Sequence, residues 1–296
     1  MNILDSVNKW GWVYSGQGKY PSGFLVFGYP IHFYAFFILA GALVALFLAS
    51  YRAHKKGYAW DVFDTVFLCA FPAGIVGARI WYVIAEWSKD FGPYWDTNPW
   101  KMFEIWNGGL AIQGGVIGGA LVGILVVLFR RKGMNILEAC DFCIPTILVA
   151  QAIGRWGNFF NAEVFGQYVS PDAWNFLPGF IMNNMPTSGG LVAAPLFFTE
   201  GIINIGGYFL ITRGVETIFG KHYLHGDSTC AYFIWYGIVR AVLEPIRNPK
   251  YIMGNPNDMK SFGMALAFII VGVLALIANH VVTYILKKRK ENNLNA

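Results

Sequence analysis

The sequence has little charge for its length. Only 13% of its 296 residues are charged, whereas 56% are hydrophobic and the mean hydropathy is +0.46; soluble domains carry about a quarter charged residues. The stretches 31–51 and 261–286 reach the roughly 20 apolar residues that span a bilayer. The shortage of charge therefore excludes an ordinary soluble domain and indicates a membrane protein.

Other absences exclude further classes. Cys140 and Cys143 have CxxC spacing, but no second pair completes a zinc site, so the cysteines are expected to be buried thiols. The sequence has no basic face with interleaved aromatics, so it gives no indication of nucleic-acid binding. Residues 1–29 lack the apolar segment of a cleavable signal peptide, so the N-terminus is expected to be retained. No internal repeat is evident, which argues against transporters built from duplicated halves.

The apolar runs predict an all-α integral membrane protein with seven spans. Their predicted bounds are 31–51, 62–87, 109–129, 136–160, 195–213, 228–247 and 261–286. Lysine and arginine concentrate after the odd-numbered spans, as in Arg130–Lys132 and Lys287–Lys290, which predicts an outside N-terminus and a cytoplasmic C-terminus. Residues 1–296 then form one polytopic domain, with residues 161–194 as a small extracytoplasmic cap.

The third span carries small residues at helix-packing spacing. Glycines recur every four residues in two sets, Gly114 and Gly118, and Gly115, Gly119 and Gly123. Such a face lets a neighbouring helix approach closely.

Two polar residues lie near the outer ends of their spans. Gln113 either forms a hydrogen bond to another helix or contacts a substrate, and Tyr34 is either an interfacial aromatic or a site residue.

An arginine lies inside apolar sequence in the segment 154–166, GRWGNFFNAEVFG. The run 144–153 leads into Arg155 with almost nothing polar between. A charge is costly in hydrocarbon, so such a residue indicates a functional site with a partner nearby. A purely structural ion pair with Glu163 or Glu200 is the alternative.

This segment cannot be one straight helix if its polar residues share a target. Arg155 and Asn158 lie on one helix face. At about 100° per residue, Asn161 and Glu163 point in different directions. The helix is therefore predicted to end near Phe160, with the chain turning so that both side chains face back.

The sixth span carries a single polar stripe. The stripe repeats every four residues through Tyr232, Tyr236, Arg240 and Glu244, and it ends three residues later at Arg247. Pro245 should kink or end the helix near Glu244. Arg240 and Glu244 form either a structural pair or part of a site. Arg79, in the second span, is expected to have a structural role. The presence of three arginines in apolar runs, Arg79, Arg155 and Arg240, nevertheless indicates an anion site.

Taken in order, these motifs resemble the prolipoprotein diacylglyceryl transferase family. The segment GRWGNFFNAEVFG is similar to the family's hallmark. Four further motifs correspond: Ile-x-x-Tyr from Ile31, Gly-Ala-Arg-Ile-x-Tyr from Gly77, Gly-Gly-Leu-Ala-Ile-x-Gly-Gly from Gly108 and Tyr-Gly-x-x-Arg-x-x-x-Glu-x-x-Arg from Tyr236. The resemblance covers residues 25–285, approximately.

The resemblance implies a reaction and a set of site residues. A diacylglyceryl group moves from phosphatidylglycerol to the lipobox cysteine thiol of a prolipoprotein, a thioether forms and glycerol phosphate leaves. The family works at the outer face of the bacterial cell membrane without metal or cofactor. The implied catalytic residues are Arg155, Arg240, Tyr236 and Glu163. The implied substrate-binding residues are Arg155, Tyr34, Asn158, Asn161, Gly166, Gln113, Glu244 and Arg247.

Two departures from the family pattern affect the chemistry. Many members have histidine, proposed as the base, where this chain has Gln113, and glutamine cannot take a proton. The candidates for a replacement base are Glu163, Glu244, Tyr236 and His32. Alternatively, neighbouring arginines raise the fraction of thiolate, and no dedicated base is needed. Thr199 stands where a tyrosine often precedes the glutamate. A lipid or anion transporter and a scaffold whose arginines only pair helices are the competing interpretations.

Overall fold

The chain divides into two compact units. The computed structural model describes residues 10–14, 18–87, 97–105, 108–130, 133–251 and 260–294. One unit comprises residues 1–47 and 143–296, and the other comprises residues 48–142. The predicted inner-loop cations Arg131 and Lys132, and most of the predicted outer segment 88–107, lie outside the described residues.

Helices dominate the described residues. They are α1 (Phe33–Lys55), α2 (Asp64–Trp87), α3 (Ile112–Arg130), α4 (Ile136–Cys143), α5 (Ile147–Asn161), α6 (Gly179–Asn184), α7 (Leu196–Phe209), α8 (Glu216–Phe219), α9 (Asp227–Leu243) and α10 (Lys260–Leu294). The strands are β1 (Trp10–Val13), β2 (Gly23–Val26), β3 (Tyr29–His32), β4 (Tyr168–Val169), β5 (Thr187–Ser188) and β6 (Leu191–Ala193). The chain is thus a helical protein with two small sheets that the all-α prediction left out.

Five helical stretches are long and apolar enough to cross a membrane. They are Phe33–Lys55, Trp60–Trp87, Ile112–Phe129, Ile136–Asn161 and Phe262–Asn293, and they match the predicted spans 1, 2, 3, 4 and 7. The predicted fifth and sixth spans fold as α7, of 14 residues, and α9, of 17 residues, which is shorter than the roughly 20 residues of a straight span. The π-helical turn Leu210–Val215 continues α7 into α8. Membrane character is therefore supported, and the count of seven and its orientation stay predictions.

The glycines of the third span pack α3 against α2 in the second unit. A Cβ on Gly114 would lie 2.1 Å from the Gly77 carbonyl oxygen, and one on Gly118 would lie 2.7 Å from that of Ala73. Any side chain there would push the helices apart. The predicted small-residue packing face is confirmed, and it includes a glycine of α2 that the pattern in α3 alone does not identify.

Two helix ends shape the first unit. Helix α5 ends at Asn161, and Ala162 adopts a left-handed conformation with φ 47°. Helix α9 ends at Leu243, one residue before a 3₁₀ turn that contains Pro245. Both ends agree with the sequence predictions, since a left-handed residue stops a helix and proline cannot continue one.

The residues after α5 fold into a small segment of strands and helix over 161–194, and its prediction as an extracytoplasmic cap stays a prediction. Strands β4, β6 and β5 pair antiparallel in that order, and α6 packs in a buried apolar cluster with Phe159 and Phe197. Asn184 is fully buried, donates to the Phe159 carbonyl at 2.7 Å and accepts from the Tyr20 backbone N–H at 2.8 Å. The cap is therefore anchored on the end of the helix that carries Arg155.

Candidate active site

A chain of five alternating charges lies in the first unit. Arg155 donates to Glu200, and Arg240 lies 3.1 Å from Glu244. The guanidinium of Arg247 lies 3.7 Å from Glu200 and 3.6 Å from Glu244. Each carboxylate is thus shared by two arginines. The structure selects Glu200 as the Arg155 partner from the two that the sequence allowed.

The cluster is largely withdrawn from solvent. Side-chain exposure is 22% for Arg155, 13% for Arg240 and 6% for Arg247, and it is 9% for Glu200 and 7% for Glu244. Three guanidinium groups against two carboxylates leave one net positive charge. In a medium of low dielectric constant such an excess attracts an anion far more strongly than at a water-exposed surface.

Local structure brings Arg247 into the cluster. The 3₁₀ turn Glu244–Ile246 follows α9, and the Ile246 carbonyl accepts from the Gln167 backbone N–H at 2.9 Å. Gly166 forms an antiparallel bridge with Arg247. A Cβ on Gly166 would lie 2.8 Å from the Ala194 Cβ. That Cβ would also lie 3.2 Å from the Ile246 carbonyl oxygen, so glycine at 166 lets the hallmark segment approach the chain that carries Arg247.

Neutral polar side chains surround the charges. Tyr236 lines a narrow cavity together with Glu200, Arg240 and Arg247. One turn earlier, Tyr232 stacks on Tyr236 with ring centroids 6.1 Å apart. The predicted polar stripe of α9 therefore does face a single site, and it leads from the tyrosines to the arginine cluster.

The turn after α5 brings polar residues to a second cavity. The Glu163 backbone N–H donates to the Asn158 carbonyl at 3.0 Å, and Val164 has φ 54°. The Asn161 amide donates to the Glu163 carboxylate at 3.0 Å. The predicted reversal of the chain is confirmed, and its strained, left-handed residues serve to aim these two side chains.

This second cavity has a volume of about 410 Å³. It is lined by His32, Tyr34, Asn161, Ala162, Glu163, Lys250 and Tyr251. The His32 Nδ1 atom is buried and has no hydrogen-bond partner among the described residues. Burial and the negative charge of Glu163 raise the pKa of Tyr251. The cavity thus offers a carboxylate, an ammonium and an imidazole to a polar ligand.

Tyr34 connects the cavity to the helix of the arginine. A Cβ on Gly157 would lie 2.4 Å from the Tyr34 Cδ2 atom and 3.0 Å from its Cα, so the first turn of α1 touches α5 two residues after Arg155. Asn158 follows and is buried, with 8% exposure. The structure therefore assembles Tyr34, Asn158, Asn161 and Glu163 around one end of α5.

Two polar residues of the sequence analysis lie in the other unit. Gln113 is the second residue of α3, and its predicted role stays a prediction. Arg79 donates to the backbone carbonyls of Lys101, Met102 and Gly108 at 2.6–2.7 Å. These bonds confirm that Arg79 has a structural role, since they satisfy its guanidinium group with loop carbonyls.

Some residues of the site were not among the sequence-predicted candidates. Glu200 is one of the two carboxylates of the cluster, although it was considered only as an ion-pair partner. Its signal is a single acid inside the apolar run 195–213. Lys250 and Tyr251 line the cavity without any sequence signal, because they meet it only through the turn that follows Arg247.

The fold and the site define a polytopic helical membrane protein with a largely buried cluster of three arginines and two glutamates. The model of the prolipoprotein diacylglyceryl transferase family matches residues 21–278. The chain belongs to this family. The match extends over both units and includes every residue of the arginine cluster and of the cavity.

Similar proteins agree with the family assignment. Proteins named phosphatidylglycerol–prolipoprotein diacylglyceryl transferase from Streptococcus pyogenes serotype M5 (strain Manfredo) and serotype M49 (strain NZ131) are each 37% identical to this chain over 265 residues. The alignments cover 90% of this chain and 93% of each relative. The similarity is therefore not confined to the hallmark segment.

Proposed function

We propose that this chain transfers the diacylglyceryl group of phosphatidylglycerol to the lipobox cysteine of prolipoproteins. The thiol sulfur forms a bond to the glycerol carbon, and the bond from that carbon to the phosphate oxygen breaks. The electron pair leaves with glycerol phosphate, and the thiol proton passes to a base or to water. The observation that carries the proposal is the buried Arg155–Glu200–Arg247–Glu244–Arg240 cluster in a member of this family.

Arg155 and Arg240 bind the lipid phosphate in this proposal. They are the more exposed arginines of the cluster, and arginine holds phosphate through charge-assisted, often bidentate bonds. The phosphate charge grows from about one to about two negative charges as a monoester leaves. Guanidinium groups fixed in a site of low dielectric constant therefore stabilise the transition state more than the ground state.

The residues around the arginines orient the two substrates. Tyr236 lines the narrow cavity beside Arg240 and can donate its hydroxyl hydrogen to a phosphate oxygen. Tyr34 and Asn158, at the end of α5, orient the head group. Of the candidate proton acceptors, Glu244 is engaged by two arginines, whereas His32 and Glu163 line the larger cavity. We propose that one of these two residues, His32 or Glu163, accepts the thiol proton.

The proposed topology has seven spans, with the site facing the outer side of the bacterial cell membrane. The positive charge of the predicted inner loops supports this orientation. The cap supports it as well, because it adjoins the end of α5 that carries Arg155. The proposed partners are phosphatidylglycerol, lipobox peptides and the bilayer.

A transfer assay with labelled phosphatidylglycerol and a lipobox peptide tests the function. The purified chain is expected to label the peptide at its cysteine. Arg240→Gln should reduce transfer by about a hundredfold or more, because a charge-assisted site for the developing phosphate charge is lost. Arg213→Gln is the matched control, since Arg213 is an exposed arginine whose guanidinium lies over the Phe209 ring, outside the cluster.

The same assay separates the alternatives. Lipid movement across a vesicle membrane without peptide labelling would support a transporter, in which the buried arginines line a permeation path. If Arg240→Gln lowers the stability of the protein but leaves the transfer rate of the folded protein unchanged, the result would support a structural role for the arginines.

A further inference from the structure

Arg247 occupies a different position from the other two arginines of the cluster. Its guanidinium lies between Glu200 and Glu244, at 3.7 and 3.6 Å. Each of these carboxylates also holds one of the two arginines proposed to bind phosphate. Arg247 is therefore the only described residue that links both carboxylates.

The surroundings of Arg247 make it the least accessible arginine of the cluster. Its side chain is 6% exposed, against 22% for Arg155 and 13% for Arg240. Its own backbone N–H donates to the Glu244 carbonyl at 3.1 Å, and the flanking Asn248 N–H donates to the Phe165 carbonyl at 3.1 Å. A lipid phosphate that reaches the cluster meets the more exposed arginines first.

The separations also indicate how Arg247 acts. Charge-assisted hydrogen bonds to a carboxylate are about 2.7–2.9 Å long, and both Arg247 contacts are longer than that. The group therefore contributes its charge more than a directed fork of hydrogen bonds. Without it, two guanidinium groups would face two carboxylates, and the net charge of the cluster would be zero.

We propose that Arg247 is a positioning residue that acts as a shared counterion, and that it does not bind the substrate phosphate itself. It neutralises half of the charge of Glu200 and of Glu244, so that Arg155 and Arg240 keep one net positive charge for a lipid phosphodiester. The proposal rests on the proposed function. It changes the sequence-based assignment of Arg247 as a substrate-binding residue.

Charge compensation tests the proposal. In the transfer assay, Arg247→Met should lower kcat/KM by about tenfold or more, mainly through KM for phosphatidylglycerol, because a buried charge loses its partner. Adding Glu200→Gln to Arg247→Met removes one carboxylate charge and restores the net charge of one. The double variant should recover about fivefold or more of the loss, because coupled residues give non-additive effects. A double variant no more active than Arg247→Met would overturn the proposal.

A lysine pair keeps the test decisive if Arg247→Met does not fold. Lysine supplies charge but not a planar bidentate fork, so Arg247→Lys should lose far less activity than Arg155→Lys. Equal losses in the two lysine variants would show that Arg247 uses its fork like a phosphate ligand, and would overturn the proposal. Transfer by the unsubstituted chain is measured first. If it transfers and the rescue fails, only the counterion role is wrong; if it does not transfer, the proposed function falls, and this inference with it.

Discussion

Replacing Gly157 by alanine tests the contact that joins the first helix to the helix of Arg155. The added Cβ would lie 2.4 Å from the Tyr34 Cδ2 atom and 3.0 Å from the Tyr34 Cα. The ring can rotate away from the first contact, but the backbone atom cannot. The substitution should therefore move α1 away from α5 and displace Tyr34 from the site.

Gly154→Ala provides the matched control in the same helix. A Cβ on Gly154 meets no heavy atom of the described residues within 4 Å. Both substitutions gain about 0.8–1 kcal/mol of helix propensity, so this gain cancels when the two variants are compared. Overpacking costs about 1–3 kcal/mol, and Gly157→Ala should be less stable than Gly154→Ala by this amount.

The assay is denaturant unfolding of both variants in detergent, together with peptide transfer. Because displacements near 1 Å in an active site cost about a hundredfold, Gly157→Ala should also lose at least about tenfold in transfer rate, and Gly154→Ala should keep the original rate. Equal stability and equal transfer rates in the two variants would refute the close contact between Gly157 and Tyr34.

Three further predictions concern other parts of the chain. Asn184→Ala should destabilise the protein by about 1–3 kcal/mol in denaturant unfolding, because the Tyr20 backbone N–H loses its acceptor and the Phe159 carbonyl keeps only the Ala162 N–H; a loss below about 0.5 kcal/mol, the range of ordinary surface changes, would contradict the anchoring role. Gly114→Ala should lower the melting temperature, because its Cβ would lie 2.1 Å from a backbone oxygen, whereas Gly123→Ala, with contacts of 3.6 Å or more, should not; similar melting temperatures would contradict the packing. In the pH dependence of transfer, either His32→Gln or Glu163→Gln should remove the limb that reports the proton acceptor, and unchanged profiles in both would exclude the larger cavity from the proton chemistry.

The sequence predicted those features of the fold that depend on local chemistry. Pro245 ends α9 because it lacks a backbone N–H, whatever surrounds it. The end of α5 could be predicted from the directions of Asn161 and Glu163, since one straight helix cannot aim both at a common point. Glycine spacing predicted the tight packing face of α3, because this prediction requires only the period of the helix.

The pairing within the site could not be predicted in this way. Arg155 had two possible carboxylate partners, and the choice of Glu200 depends on how α5 and α7 pack. Lys250 enters the cavity because the chain after Arg247 pairs with residues 165–167, a contact between segments about 80 residues apart. The strands β1–β3 lie in a stretch rich in Gly, Pro and aromatics, where periodicity gives little signal.

The span count shows a similar limit. Hydropathy predicted helices in the fifth and sixth spans, but α7 and α9 are 14 and 17 residues long. Polar residues of the site, such as Glu200 and Arg240, lie in these two helices. The π-helical turn Leu210–Val215 extends α7 and the 3₁₀ turn Glu244–Ile246 extends α9, so each of the two predicted spans continues in a helix of another type.

A structure of the chain with bound phosphatidylglycerol tests the central claim most directly. The lipid phosphate should lie within about 3 Å of the guanidinium groups of Arg155 and Arg240, the distance of a charge-assisted hydrogen bond, with Arg247 still between its two glutamates. A phosphate bound elsewhere, with both arginines paired only to Glu200 and Glu244, would contradict the account.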